Sequence, residues 1–357
     1  ANASAQAKDE KKIDEATRRL FYVAMTRAKR KLQVSYSAKN EKSKEQGVSS
    51  FVTEILTQAD FEKSSLSEEA IMQSIEWSLT PDQAIDIELV KREHIQARLD
   101  SFKLSVSALN KYLDCPVAFY YERLLLVPSA PSDTLAFGSA VHYALEWLFK
   151  NMLKNPGNTW PTLEQVLGYF DSNMNGQLEC FTQKQFPRRM ELGHKILTDY
   201  YNHYINTFIK NTVIEKSLFN VTLDGVPLTG KLDKIEFLDD AKHTCRVIDY
   251  KTGKPNGGKS GKDRLALPDD DNPLGGEYWR QMAFYKILLD NFPFEKWSMK
   301  EGVFQFIEKD DKTNQFVNHS VVLRDEDVNK LKDVIKDSYA KIMNMEFNNG
   351  CGKPECA

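Results

Sequence analysis

Two short apolar segments that contain charged residues constrain the fold of this chain more than any other feature. Residues 226–237 and 245–251 are typical of buried strands, and the polar stretch between them is typical of a hairpin. The first strand contains Asp233, and the second contains Asp249 and Lys251. Residues i and i+2 of a strand face the same side, so Asp249 and Lys251 point together. If Asp233 lies opposite them in register, two carboxylates and one ammonium group meet at one place.

A cluster of two carboxylates and one ammonium group has a chemical interpretation and a structural one. Buried carboxylates are costly unless they are paired or bound to a metal. Two of them beside an ammonium group suffice to hold a divalent cation next to a group that orients water or stabilises charge on a phosphate. The alternative is an ordinary ion pair at a strand end, and the pattern alone leaves both interpretations open.

Length, charge and cysteine content narrow the class of protein. The chain has 357 residues, which allows two or three domains, and a net charge of -3, which neither supports nor excludes a local phosphate-binding groove. No apolar run is long enough to span a membrane, and the first twenty residues are polar, so we expect no membrane association and no signal peptide. Five scattered cysteines favour a reducing compartment and therefore a cytoplasmic location.

The N-terminal segment carries a second signature. Residues 15–29 run without Pro or Gly and have helical spacing, residues 31–36 alternate like a strand, and residues 49–56 suggest a further helix. The plain interpretation is an amphipathic helix that leads into a hairpin. The string 15–29 also closely resembles the last signature motif of superfamily-1 helicases of the UvrD/RecB type, in which Arg27 would be the arginine finger. In those helicases the phosphate-binding loop lies hundreds of residues earlier, so we expect this chain to be a fragment of a larger helicase–nuclease.

A possible nucleotide-binding loop lies at Gly253–Ser260, which satisfies the pattern G-x-x-x-x-G-K-[ST]. A true phosphate loop opens a helix whose N-terminus faces the phosphates. Here the following residues have no apolar periodicity. We interpret the segment as a flexible basic loop, and an ATP-hydrolysing domain built on it is the least favoured function.

Three further helices carry candidate site residues. Helical spacing predicts helices over residues 105–113, 137–149 and 278–289, the first ended by the pair Cys115-Pro116. His142 lies beside an apolar stripe, and Gln281 and Tyr285 are four residues apart on one helix face. Taken singly, each of these is more simply explained as a core or surface residue.

Taken together, these motifs occur in one fixed order that resembles a known family. Over residues 104–356 the series resembles the RecB/AddB-type nuclease of the PD-(D/E)XK superfamily, and the string Asp-Tyr-Lys-Thr-Gly is its most diagnostic part. The resemblance implies a restriction-endonuclease-like α/β fold, with a mixed central sheet flanked by helices. A small helicase remnant would precede this fold in the sequence. The expected division is a helicase fragment over 1–60, a connector over 61–100 and a nuclease domain over 101–357.

The resemblance also implies roles for individual residues. A catalytic Mg2+ or Mn2+ would be bound by Asp233 and Asp249, with His142 and the carbonyl of Tyr250 as additional ligands. Lys251 would position or help to deprotonate the attacking water, while Gln281 and Tyr285 would line the DNA channel and orient Lys251 or the phosphate. Glu215 is a weaker candidate for an indirect role or for a second metal.

The cysteines suggest one further cofactor. Several nucleases of this group carry a 4Fe–4S cluster held by one Cys before the nuclease core and three after it. Cys115 stands at the first position, and Cys351 and Cys356 stand where the later ones begin. Three thiolates cannot fill a four-thiolate site. We therefore expect a cluster in the full-length protein and none in this chain.

The resulting hypothesis is a Mg2+-dependent deoxyribonuclease, exonuclease-like and similar to exodeoxyribonuclease V. It would be a domain of a RecB/AddA-like helicase–nuclease in double-strand-break repair and recombination, with DNA as substrate, a partner subunit and no independent ATPase. The alternative is an inactive nuclease-like module that binds DNA or a partner. The complete set of His142, Asp233, Asp249 and Lys251 favours the active enzyme.

Overall fold

The computed structural model describes residues 17–28, 32, 34, 44–45, 47–56, 67, 69–70, 72, 91–128, 131–239, 241–253, 264–348 and 350–351. The chain divides into two compact units, residues 1–84 and 85–357. The division predicted from the sequence stays a prediction. The loop 254–260 and most of the predicted strand 31–36 lie outside the described residues.

Two helical segments are the longest among the described residues of the first unit. Residues 17–26 are helical, and the helix expected over 49–56 is present as Ser50–Leu56. Arg18 connects them, because its Nη2 lies 2.9 Å from Glu54 Oε1. Arg27 follows the first segment and is exposed.

The second unit is built around a mixed sheet. Among its described residues the sheet has five strands, ordered as they occur in the chain: β1 (Thr212–Leu223), β2 (Val226–Phe237), β3 (Thr244–Lys251), β4 (Ser298–Phe306) and β5 (Asn318–Val321). β3 and β4 pair in parallel, while the other neighbours are antiparallel. The predicted hairpin is therefore β2–β3. A helix connects the two parallel strands, as such a crossover requires.

Helices cover both faces of this sheet. One core packs the sheet against α1 (Arg92–Asp100), α2 (Val106–Asp114), α6 (Glu277–Asp290) and α7 (Asp325–Met343). The other core packs it against α3 (Asp133–Lys154), α4 (Leu163–Gly176) and α5 (Gln185–Tyr204). Four short helical turns complete the described elements: Pro116–Phe119, Tyr120–Leu124, Pro156–Asn158 and Leu178–Cys180. This arrangement confirms the predicted fold class.

Capping residues explain where the site-bearing helices begin. The Ser105 side chain accepts a hydrogen bond from Ala108 N over 3.2 Å and starts α2, and Ser132 does the same for Leu135 N and α3. Because of the cap at Ser132, α3 begins four residues before the predicted start and extends to Lys154. α2 ends at Asp114, where Cys115 is extended and precedes Pro116.

A close contact fixes α6 on the sheet. A Cβ at Gly230 in β2 would lie 2.4 Å from Leu288 Cδ1, so the helix and the strand approach closely only because this residue is glycine. Leu288 is fully buried in the core between the helix and the sheet. The contact sets the height at which the polar face of α6 lies above the end of β3.

Across the described residues, no helix is long and apolar enough to cross a membrane.

Candidate active site

The register of β2 and β3 brings the two aspartates together. Lys234 pairs with Ile248, so the next residues along the hairpin, Asp233 and Asp249, lie opposite each other. The backbone N–H of Tyr250 donates to Asp233 Oδ2 over 2.9 Å. The side chains of residues 233, 249 and 251 thus meet at this end of the sheet.

Asp249 is the buried centre of the polar network. Its Oδ1 accepts hydrogen bonds from Gln281 Nε2 over 2.7 Å and from the Tyr285 hydroxyl over 3.2 Å. Its Oδ2 lies 2.7 Å from Lys251 Nζ but forms no directional hydrogen bond, although it is buried. A buried carboxylate oxygen in this state retains lone pairs for another ligand.

Lys251 is held on three sides. Its Nζ donates to Gln281 Oε1 over 3.1 Å, and it lies 4.7 Å from the ring centre of Tyr278 and 5.0 Å from that of Phe304. Burial lowers the pKa of Lys251, but Asp249 together with the charges of Tyr278 and Asp233 outweighs it, and the net pKa is above its ordinary value. Lys251 is therefore a fixed cation at neutral pH.

Tyr278 is a site residue that the sequence analysis missed. The sequence predicts it only as the first residue of the helix over 278–289. The available signal was spacing, because Tyr278, Gln281 and Tyr285 stand at i, i+3 and i+7 and share one face of α6. Gln281 and Tyr285, which the sequence singled out, lie on this face, with Gln281 bridging Lys251 and Asp249.

His142 approaches the same place from α3. Its Nε2 lies 3.1 Å from the Tyr250 carbonyl oxygen, and its Nδ1 lies 3.4 Å from Asp233 Oδ2. Burial lowers the pKa of His142 despite the nearby charges of Asp249 and Glu215. A neutral ring that donates through Nε2 to the carbonyl turns the lone pair of Nδ1 toward Asp233.

The lone pair of His142 Nδ1 and the lone pairs of Asp233 Oδ2 repel each other unless a proton or a metal ion lies between them. Burial, and then the charge of Asp249, raise the pKa of Asp233 well above its ordinary value. In the absence of another cation, a proton on Asp233 therefore relieves the repulsion between Asp233 and its neighbours. A metal ion held between His142 Nδ1 and Asp233 would relieve the same repulsion.

Glu215 completes this group through a backbone irregularity. It lies in β1 with a φ of 53°, a left-handed conformation that is uncommon for a residue with a side chain. Its neighbours pair regularly with β2, Ile214 with Lys234 and Lys216 with Leu232. One ligand atom each from His142, Glu215 and Asp233 all lie within 4.8 Å of one another. The carboxylate of Glu215 also forms an ion pair with Lys231.

These donors fit a divalent cation. Two carboxylate oxygens are ligands that suit Mg2+ and Mn2+, the imidazole nitrogen is a third donor, and Asp249 Oδ2, the oxygen beside Lys251, is a further oxygen nearby. Asp249 lies outside the three-residue group. The Tyr250 carbonyl, predicted as a ligand, is the partner of His142, a contact that orients the ring of a metal-binding histidine.

The remaining predicted site residues lie elsewhere. Arg27 belongs to the first unit. Cys115 is buried, Cys351 is half-buried, and Cys356 lies outside the described residues. Phe347 is fully buried against Tyr112 and Phe119, so it packs beside α2, the helix that ends just before Cys115. The iron–sulfur role of these cysteines stays a prediction.

Comparison with known proteins agrees with this geometry. A family model described as "PD-(D/E)XK nuclease superfamily" matches residues 103–357, and one described as "UvrD-like helicase C-terminal domain" matches residues 3–39. A solved structure titled "Crystal structure of SSO0001" is 14% identical, with 69% of this chain and 82% of that chain covered and a TM-score of 0.27, too low to carry an argument. No curated protein matches the chain.

Proposed function

Because the chain belongs to the PD-(D/E)XK nuclease superfamily, we propose that it hydrolyses DNA phosphodiesters as the nuclease domain of a RecB/AddA-like helicase–nuclease. The family match confirms the resemblance seen in the sequence. The observation that carries the proposal is the convergence of two aspartates, a fixed lysine, a glutamate and a neutral histidine at one end of the hairpin.

In the proposed reaction, water loses a proton to solvent and attacks phosphorus, a new P–O bond forms, and the leaving oxygen takes up a proton from solvent as its bond to phosphorus breaks. A bound divalent cation supplies Lewis-acid polarisation of the phosphate and a lowered pKa for bound water. His142, Glu215 and Asp233 would hold that cation, with Asp249 beside them.

The fixed cation next to Asp249 has a defined task. The raised pKa of Lys251 keeps it protonated, so it orients the water and offsets charge on the pentavalent phosphate rather than accepting a proton. Gln281 holds Lys251 and Asp249 in one arrangement through the two ends of its amide. Tyr285 adds a second donor to Asp249.

The finer assignments form part of the same proposal. A UvrD-like match over residues 3–39 on the N-terminal side of the nuclease match supports a helicase–nuclease that acts in double-strand-break repair and recombination. Within it we place Mg2+ or Mn2+ as cofactor, an exonuclease of the exodeoxyribonuclease V type, a partner subunit, a cytoplasmic location and a 4Fe–4S cluster in the longer protein. The division into 1–60, 61–100 and 101–357 belongs here too.

Cleavage of linear single- and double-stranded DNA in Mg2+ or EDTA tests the proposal. We expect cleavage that requires Mg2+ and is lost in Asp249→Ala. The matched control is Asp333→Ala, which removes an exposed carboxylate from α7 and should cleave like the wild type.

Two outcomes would contradict the proposal. Cleavage that persists in Asp249→Ala would place the chemistry elsewhere. A wild type that binds DNA without cutting it would favour the inactive binding module.

A further inference from the structure

Tyr278 is shared by two cations, one of which has no role in the proposed reaction. Lys251 Nζ lies 4.7 Å from the centre of the Tyr278 ring, and Arg264 Cζ lies 5.4 Å from the same centre. The two positive charges are therefore no more than about 10 Å apart. Any anion that reaches Lys251 comes close to Arg264.

Arg264 is held in place although it is partly exposed. Its Nη1 donates to the Tyr278 hydroxyl over 3.0 Å, and its Nε lies 3.0 Å from Glu277 Oε1. An exposed ion pair with Glu277 alone would contribute little. The tyrosine adds a hydrogen bond and a cation–π contact, which fix the plane of the guanidinium group.

The fixed guanidinium still has donors to offer. Arginine carries five N–H groups, and within the part of the chain that the structure describes the contacts to Glu277 and Tyr278 use two of them. The side chain of Arg264 is 44% exposed, so the remaining donors are accessible to an anionic ligand. A planar fork of N–H groups matches the oxygens of a phosphodiester.

The surroundings of Tyr278 indicate whether a phosphate or a base of a nucleic acid would bind beside it. Its ring already lies 4.6 Å from Phe304 and contacts both cations. The cations therefore select an anion and not a stacked base. A DNA strand carries one phosphate per about 3.4 Å of duplex axis, so two cations no more than about 10 Å apart can both contact phosphates of one strand.

We propose that Arg264 binds a phosphate flanking the scissile phosphate on the same DNA strand, and that Tyr278 is the positioning residue that holds Arg264 in register with Lys251. The assignment rests on the proposed function, in which Lys251 faces the scissile phosphate. It adds a second phosphate site that sets where along the strand the cut falls.

The test combines charge-neutral substrates with charge-removing variants. Each DNA substrate carries one uncharged methylphosphonate in place of a phosphate, and the set of substrates places it at each position around the cleaved bond. Binding of each substrate is measured in EDTA, and cleavage is measured in Mg2+. For the wild type, one flanking position should weaken binding and cleavage about tenfold, as expected for the loss of a charge-assisted contact. Arg264→Ala should lose this position-specific effect and keep the effects of all other positions.

Salt dependence gives a second readout that a purely structural role would not change. The slope of log K against log salt should become shallower in Arg264→Ala by about 0.7 for single strands and about 0.9 for duplexes, the value of one phosphate contact. Arg264→Lys should restore the slope but only part of the affinity. Tyr278→Phe should weaken binding with the slope retained. Arg188→Ala, which removes an exposed arginine from α5, is the charge-matched control and should behave like the wild type.

Two results would overturn the assignment. If Arg264→Ala keeps both the wild-type slope and the methylphosphonate effect while the wild type cleaves DNA, the second phosphate site is wrong and the nuclease function stands. If the wild type neither binds nor cleaves DNA, the proposed function fails and the site fails with it. A melting temperature of Arg264→Ala or Arg264→Lys near that of the wild type shows that the comparison is between folded proteins.

Discussion

Gln281 donates through Nε2 to Asp249 Oδ1 over 2.7 Å, which ties a residue of α6 to the acid of β3. The same amide accepts from Lys251 over 3.1 Å, so its orientation is fixed at both ends. The acid and the lysine of the proposed site are thereby positioned by one uncharged side chain.

Replacement of Gln281 by alanine should lower kcat with little change in KM. The residue positions catalytic groups and does not itself need to bind substrate, so we expect a fall of about 10- to 100-fold, roughly 1.4 to 2.8 kcal/mol in the barrier. Steady-state cleavage of linear DNA measures it. Gln96→Ala, on the exposed side of α1, is the control, and a Gln281→Ala enzyme with wild-type kcat would refute the positioning role.

Asp233→Asn should raise the melting temperature in EDTA and remove cleavage. The pKa of Asp233 is raised by burial and by Asp249, so ionising it costs folding free energy in the metal-free protein. Because the folded-state pKa of Asp233 is raised, the stability that this group contributes is lost as pH rises above its ordinary pKa of 3.8. The difference in melting temperature between the variant and the wild type should therefore widen as pH rises above 3.8.

Mg2+ should reverse this order of stability. A ligand present at 100 times its Kd stabilises the folded state by about 2.7 kcal/mol, and only the wild type keeps the carboxylate that would bind it. Thermal melts in EDTA and in Mg2+ measure both effects. Equal Mg2+-induced shifts in the two proteins would show that Asp233 does not bind the ion.

Glu215→Gln should weaken metal binding more than it slows the chemical step. Its ligand oxygen lies in the group with His142 and Asp233, so we expect the Mn2+ concentration for half-maximal cleavage to rise about 10- to 100-fold. At saturating Mn2+, most of the activity should return. Glu191→Gln, an exposed change on α5, should leave the Mn2+ titration unchanged. An unaltered titration in Glu215→Gln would exclude it as a ligand.

Asp239→Asn should loosen the β2–β3 hairpin in a pH-dependent way. The Asp239 carboxylate accepts from His243 N over 3.0 Å, from Thr244 N over 2.6 Å and from the Thr244 hydroxyl. The Thr244 hydroxyl, followed by the two N–H donors, lowers the pKa of Asp239 from 3.8 to about 2.

A depressed folded pKa means that the stabilisation is present above 3.8 and is lost as pH falls toward 2. The variant should therefore melt below the wild type at pH 7, and the difference should shrink as pH falls below 4. Asp270→Asn, an exposed change in the loop before α6, should show no such trend. A difference independent of pH would mean that the carboxylate charge is not what stabilises the turn.

Gly230→Ala should destabilise the second unit by about 1 to 3 kcal/mol, the usual cost of overpacking a well-packed core. The added methyl group would lie 2.4 Å from a carbon of the fully buried Leu288. Denaturant unfolding measures the change. Gly168→Ala in α4 is the matched control, because its methyl group meets open space and should stabilise the helix by about 0.5 to 1 kcal/mol. Equal effects of the two changes would contradict the close packing of α6 on β2.

The sequence predicts the parts of this site that depend on local periodicity. Asp249 and Lys251 share a strand face because of the pleat, and Gln281 and Tyr285 share a helix face because of the helical repeat. Both relationships can be read from spacing alone. The fold class, in contrast, follows from the resemblance of the ordered motifs to the PD-(D/E)XK superfamily and not from periodicity.

The parts that the sequence analysis underestimated or missed depend on tertiary detail. Glu215 reaches the metal-binding group through a positive φ in β1, and nothing in the spacing of that strand indicates such a conformation. The Tyr250 carbonyl accepts a hydrogen bond from His142 only because α3 packs against the end of β3. Tyr278 was within reach of pattern reasoning, yet its contact with Phe304 requires the parallel pairing of β3 and β4.

The parallel strands β3 and β4 and the helix between them also have a consequence for synthesis of the chain. His142 lies in α3 and Tyr285 lies in α6, so the proposed centre is assembled from residues that are distant in sequence. A nascent chain that has emerged only as far as β3 has both aspartates and the lysine but lacks the amide that orders them. The complete set of proposed site residues therefore exists only once α6 has been synthesised, and a chain that stops after β3 lacks both the Gln281 amide and the Tyr285 hydroxyl.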